Sequence, residues 1–142
     1  MNPQQPVHAT TVAIRHAGEW KAVMILGPSG AGKSDLALRL IGLGWRLVSD
    51  DYTHVWASGG ALHATAPTAI AGQIEARGVG IVSFRTRLVA RLVLAVACVP
   101  EAVERLPEPQ TRRFAGMDLP LLALDPRPPS AVDMVAVALQ TL

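Results

Sequence analysis

An apolar run at residues 23–26 leads directly into Gly27-Pro28-Ser29-Gly30-Ala31-Gly32-Lys33-Ser34, and an amphipathic run follows as far as Leu43. Few local patterns restrict the path of a chain so tightly. Glycines open backbone conformations that other residues avoid, and a loop that feeds a helix N-terminus gathers N–H groups and partial positive charge. Gly27, Gly32, Lys33 and Ser34 fill the pattern G-x-x-x-x-G-K-[ST], a P-loop. The motif predicts that residues 27–34 cradle phosphates, that Lys33 reaches the β- and γ-phosphates, and that the Ser34 hydroxyl ligates magnesium. ATP and Mg²⁺ are the expected ligands. An ordinary glycine turn would not be flanked by this strand and this helix.

The remaining composition limits what such a site can serve. With 142 residues, half of them hydrophobic, the chain suits one packed domain, read as residues 1–142 with a polar leader at 1–6. A net charge of +2, spread without a basic cluster among aromatics, speaks against nucleic acid. The longest apolar stretch, residues 88–100, contains Arg91 and is too short to span a membrane. The leader lacks the basic-then-apolar order of a secretory signal, so a cytoplasmic protein is expected. Cys98, the single cysteine, lies in an apolar run and reads as a buried thiol. Only Lys21 and Lys33 are lysines among thirteen cationic residues.

Along the chain, residues 9–14 and 20–26 read as a hairpin around the turn 16–19. Leu36, Ala37, Leu40, Ile41 and Leu43 give residues 33–43 a helical period, with Asp35 in the first turn and Gly42 and Gly44 at the end. Residues 46–49 form a short strand, and 52–57 and 61–65 flank the hairpin signal Ser58-Gly59-Gly60. A helical turn is expected near 68–73, buried strands at 80–84 and 88–99, and a further strand at 119–124. The proline-bearing segment 100–118 reads as a flexible surface loop, and Ser130 as the cap of a last helix over 131–142. Strands outnumber helices without regular βα alternation: an α/β fold, a mixed sheet with hairpins and few helices.

Asp50 and Asp51 end the strand that contains Leu47 and Val48. Beside a phosphate loop, carboxylates at a strand end can hold magnesium's water shell or take a proton from an attacking hydroxyl. Neighbouring side chains point to opposite faces, so two aspartates can divide these duties; their order is open from the residues alone. Glu75-Ala76-Arg77-Gly78 offers a third acid as a metal ligand and Arg77 as a charge stabiliser. His16, His54 and His63 read as surface residues, and Trp20, Trp45 and Trp56 as packing. Arg105, Arg112 and Arg113 are candidates for an arginine that reaches a γ-phosphate.

His8-Ala9-Thr10, the P-loop, Leu47-Val48-Ser49-Asp50-Asp51 and the segment 74–81 follow one another in the order and spacing of the HPr kinase/phosphorylase family. The chain resembles that family's catalytic domain, in the short form typical of alphaproteobacteria, over about residues 7–142. The resemblance implies a P-loop catalytic core of the HPr kinase and phosphoenolpyruvate carboxykinase-like type. It also implies a hexameric serine kinase acting on HPr, the carrier protein of the sugar phosphotransferase system. Asp51 matches the proton acceptor, Lys33 the phosphate-binding lysine, Ser34 and Glu75 the magnesium ligands and His8 the catalytic-site histidine before the first strand; Asp50 stands with the metal candidates. The segment 103–106 resembles the one bearing the catalytic arginine, which favours Arg105. Long members carry an Arg-Pro-Gly-Arg-Asn-like motif tied to phosphorolytic dephosphorylation, where this chain has Asp125-Pro126-Arg127-Pro128-Pro129-Ser130. The forward reaction is therefore the firmer expectation, with phosphorolytic dephosphorylation of HPr as the second activity that the resemblance implies. A kinase for another protein or a metabolite, or a nucleotide sensor that binds without turnover, are the alternatives.

Overall fold

The computed structural model describes residues 5–99 and 108–142. Strands β1 (Val7–His16) and β2 (Glu19–Leu26) form an antiparallel hairpin. Its turn residues, Ala17 and Gly18, have φ of 52° and 81°, a left-handed pair that matches the twist of the strands. Helix α1 (Lys33–Gly42) follows the glycine loop and buries Leu36, Ala37 and Leu40. Strands β3 (Arg46–Ser49), β4 (Tyr52–Ser58) and β5 (Ala61–Thr65) come next. A single 3₁₀ turn at Thr68–Ile70 precedes β6 (Gln73–Ala76) and β7 (Gly80–Ser83). Strands β8 (Val89–Cys98), β9 (Gln110–Phe114) and β10 (Met117–Leu124) and helix α2 (Ala131–Gln140) complete the described chain.

Eight strands make one mixed sheet. Strand β8 runs parallel to β2 and β10 and antiparallel to β5, and every other pairing in the sheet is antiparallel. The pairs β1–β2, β2–β8, β8–β5, β5–β4 and β4–β1 close a ring. Side chains inside it are small, with Ala9, Ala13, Ala22, Ala64, Ala90 and Ala95 packed around Met24, Leu62 and Leu92. The opposite face carries Val12, Val23, Ile25 and Val96 against Leu36 and Leu40 of α1 and Val135 and Leu139 of α2. Strand β2 displays both environments by simple alternation. Ala22, Met24 and Leu26 face the ring, while Val23 and Ile25 face the helices. Among the described residues no helix is long and apolar enough to cross a membrane.

The mixed α/β fold with few helices agrees with the sequence reading, and several local expectations need correction. The segment 100–118 is not one loop. Residues 100–107 lie outside the described residues, but Gln110–Phe114 is a strand paired with β10 around Ala115 and Gly116 at φ 47° and 82°. Its residues are almost all exposed, so no apolar alternation announced it; Arg112 and Arg113 therefore sit on a strand. Residues 80–84 are not a buried strand either. Among the described residues strand β7 pairs only with β6, and Ile81 is 72% exposed. The expected turn over 68–73 shrinks to three residues, and Glu75 lies on β6. His8 is within β1, not ahead of it. Trp45 is buried and Trp20 packs partly buried against the ring interior, as expected, whereas Trp56 is exposed. Ser130 precedes α2 but makes no side-chain capping bond.

Candidate active site

Strand β2 delivers the loop 27–34 beyond the sheet edge, where its N–H groups leave the ladder. Gly27, Gly30 and Gly32 have φ of 153°, 84° and 99°. Two of them are also closed in by neighbours. A Cβ on Gly27 would lie 3.1 Å from Ala31 Cβ and 3.3 Å from Cys98 Cβ, and one on Gly32 would lie 3.2 Å from Pro126 Cγ. Pro28, Ser29 and Gly30 are exposed, so the loop apex opens to solvent. Lys33 is buried to 6% exposure and its Nζ donates to the Pro28 carbonyl at 3.0 Å. Among the described residues no carboxylate pairs with this buried ammonium, and a phosphate anion would supply the counter-charge.

Asp50 is the most heavily bonded acid of the site. Burying a carboxylate is costly unless donors surround it, and Asp50, at 8% exposure, has three. Its Oδ1 accepts from Ser34 Oγ at 2.7 Å and Thr10 Oγ1 at 2.9 Å, and its Oδ2 accepts from the Glu75 backbone N–H at 3.1 Å. The Ser34 hydroxyl and the Asp50 carboxylate at the head of α1 form the hard oxygen pair a hydrated magnesium ion accepts. These residues fit the metal the motif implies. Glu75 joins through its backbone N–H, and its side chain is exposed. Among the described residues no three His, Cys, Asp or Glu side chains are grouped to hold a metal ion by themselves.

Asp51 differs from its neighbour in backbone conformation, exposure and side-chain partner. It has φ 68°, a left-handed conformation that aspartate tolerates at a cost of about 1–2 kcal/mol. Three hydrogen bonds hold the corner: the Asp51 N–H donates to Thr10 Oγ1 at 3.1 Å, the Ala9 N–H to the Asp51 carbonyl at 2.9 Å, and the Tyr52 N–H to the Asp50 carbonyl at 2.7 Å. The turn, rather than strand alternation, sends the two carboxylates apart. The Asp51 side chain is 57% exposed and meets His8 Nε2 at 2.9 Å through Oδ1. The His8 ring stacks on Tyr52 with centroids 5.2 Å apart.

The expected residues thus fall into three groups. Lys33, Ser34, Asp50, Asp51 and His8 are linked by sequence or by direct contact, with Glu75 at the margin. Arg77 is exposed in the β6–β7 hairpin. Arg105 lies outside the described residues. Behind the loop, burial pushes the Cys98 thiol up to about 11, against the opposing pull of Lys33 and Arg39. It is a protonated packing group. The segment after β10 packs on the same loop: Arg39 of α1 donates to the carbonyls of Pro126 and Pro128, and Arg127 pairs with Asp125 at 2.9 Å, holding that carboxyl below its ordinary range. Thr10 was not among the expected site residues. Its signal was a hydroxyl pair, Thr10-Thr11, inside the otherwise apolar stretch 9–14, and both are fully buried.

A mixed α/β domain with a glycine loop between strand and helix, and acids at the neighbouring strand end, defines the class. The family follows from comparison: a model described as the HPr Serine kinase C-terminal domain matches residues 1–98, and the chain belongs to that family. An HPr kinase/phosphorylase of Brevibacillus brevis is 32% identical over 139 residues, 89% of this chain and 43% of that protein. One from Clostridium kluyveri is 40% identical over 82 residues, 58% of this chain and 25% of that protein. The chain therefore spans less than half the length of these relatives. The solved structure of the Hpr(Ser) kinase/phosphatase from Coxiella burnetii shares its fold, with a TM-score of 0.77 at 23% identity, over 97% of this chain and 89% of that one.

Proposed function

We propose that this chain transfers the γ-phosphoryl group of ATP, with Mg²⁺, to a serine of HPr. The observation that carries the reading is the Asp50–Asp51 corner beside the P-loop, with one carboxylate buried on Ser34 and the other exposed on His8. Loop N–H groups and Lys33 hold the phosphates. Magnesium, held by Ser34 and Asp50 with Glu75 nearby, supplies charge neutralisation when bound. Asp51 takes the serine proton as the hydroxyl attacks, and His8 orients its carboxylate. Arg105, with Arg77 on the open side, neutralises charge spreading over the transferring group.

The names of the relatives support HPr as the substrate, and the exposed loop apex leaves room for a protein to approach. On this reading the chain works in the cytoplasm as a homo-oligomer, a hexamer by family likeness, with neither nucleic acid nor a membrane as partner. The Asp125–Arg127 pair occupies the segment where long members carry the dephosphorylation motif, which favours the forward reaction. Incubating the chain with HPr, ATP and Mg²⁺ tests the reading by mass spectrometry. One added phosphate on an HPr serine is expected, and unmodified HPr with phosphate on another protein or metabolite would reassign the substrate.

A further inference from the structure

Two neighbouring carboxylates with different duties need a device that keeps them apart, and one buried hydroxyl touches the corner at both. Thr10 Oγ1 donates to Asp50 Oδ1 at 2.9 Å and accepts the Asp51 N–H at 3.1 Å. It uses its single proton on the acid that needs a donor and a lone pair on the amide that needs an acceptor. Thr10 is fully buried, so water cannot take over either bond from the same place. We infer that Thr10 is a positioning residue that sets both aspartates of the site, through the carboxylate of Asp50 and through the left-handed backbone of Asp51.

The neighbouring threonine shows that this is more than a buried hydroxyl satisfying itself. Thr11 is equally buried, but its Oγ1 meets Thr53 Oγ1 at 2.8 Å and, among the described residues, bonds no carboxylate. The two residues separate effects on the fold from effects on the site. A valine at position 10 keeps the shape and β preference of threonine. It leaves the Asp51 N–H without its acceptor and Asp50 with one donor fewer. The strained φ of 68° at Asp51 then loses a restraint, and the carboxylate that Asp51 carries loses its fixed direction.

The consequence for catalysis rests on the proposed kinase reading, whereas the backbone consequence does not, so two measurements are made on the same proteins. Thr10→Val should lower kcat for transfer to HPr by about ten- to a hundredfold with KM for ATP changed less than about twofold. Thr10→Ser, which keeps the hydroxyl, should recover to within about threefold of the parent. Thr11→Val should lose stability comparably and keep its kcat. Amide hydrogen exchange followed by NMR should show the Asp51 N–H at least about tenfold faster in Thr10→Val, with the β1–β2 ladder unchanged. Thr10→Ala replaces the valine variant if that one does not fold. Parent-like kcat in Thr10→Val, or parent-like protection at Asp51, overturns the inference. If the parent itself transfers nothing, the kinase reading falls and Asp51 exchange alone decides the role of Thr10.

Discussion

Lys21 stands near the start of β2 and Lys33 just past its end, and these are the chain's two lysines. Both are buried, at 8% and 6% exposure, and neither forms an ion pair with a carboxylate among the described residues. Lys21 Nζ meets His16 Nδ1 at 3.2 Å across the hairpin end. There the Ala17-Gly18 turn returns the chain at once to the ladder, and nearby Arg91 is paired with Glu19. At the other end the chain leaves the sheet through glycines with positive φ, and Asp50 bonds Ser34 just past them. Burial of a lysine therefore says little. What distinguishes the two cations is the backbone around each, laddered at Lys21 and released at Lys33.

The sharpest break between the two ends is nucleotide affinity. Lys33→Met should weaken ATP binding by about a hundredfold or more, since it removes a charge-assisted contact from a desolvated site. Lys21→Met should leave the affinity within about twofold, and calorimetric titration of both compares the two ends directly. An equal loss in both variants would erase the distinction.

A smaller effect separates the turns themselves. Gly32→Ala combines φ of 99° with a Cβ 3.2 Å from Pro126, and should cost about 1–3 kcal/mol in urea denaturation. Gly18→Ala has φ of 81° but nothing within 4 Å, and should cost only about 1 kcal/mol. Similar losses would mean that the Pro126 contact yields freely.

The smallest effect concerns the thiol behind the loop. Burial raises Cys98 from 9.0 to about 11, so the folded chain keeps a proton that the unfolded chain releases. Stability should therefore fall as pH rises from about 9 to about 11. Cys98→Ala should flatten that slope, read from denaturation midpoints across the window. An unchanged slope would place the thiol in a wetter setting than its burial indicates.

Much of this contrast was legible in the residues. The octapeptide announced itself because its glycines, lysine and serine sit at spacings that backbone geometry demands, with periodic elements on both sides. Strand β9 was not legible, because Gln110–Phe114 is exposed and takes its conformation from pairing with β10 around a two-residue turn. His8 was read as preceding the strand that contains it, since no apolar alternation marks Val7 and His8 as the part of β1 that pairs with β4. The aspartate pair was recognisable, but its division was not. That depends on a positive φ at Asp51 and on Thr10, a residue remote in sequence whose hydroxyl reaches both.

Asp51→Asn gives the most direct test, because asparagine tolerates the same left-handed conformation and the substitution removes the charge without disturbing the corner. The measurement is single-turnover phosphoryl transfer from ATP to HPr by the parent and the variant, with nucleotide affinity determined on the same samples. The account predicts transfer slowed by about a hundred- to ten-thousandfold with ATP affinity unchanged. Transfer at the parent rate in Asp51→Asn would contradict it.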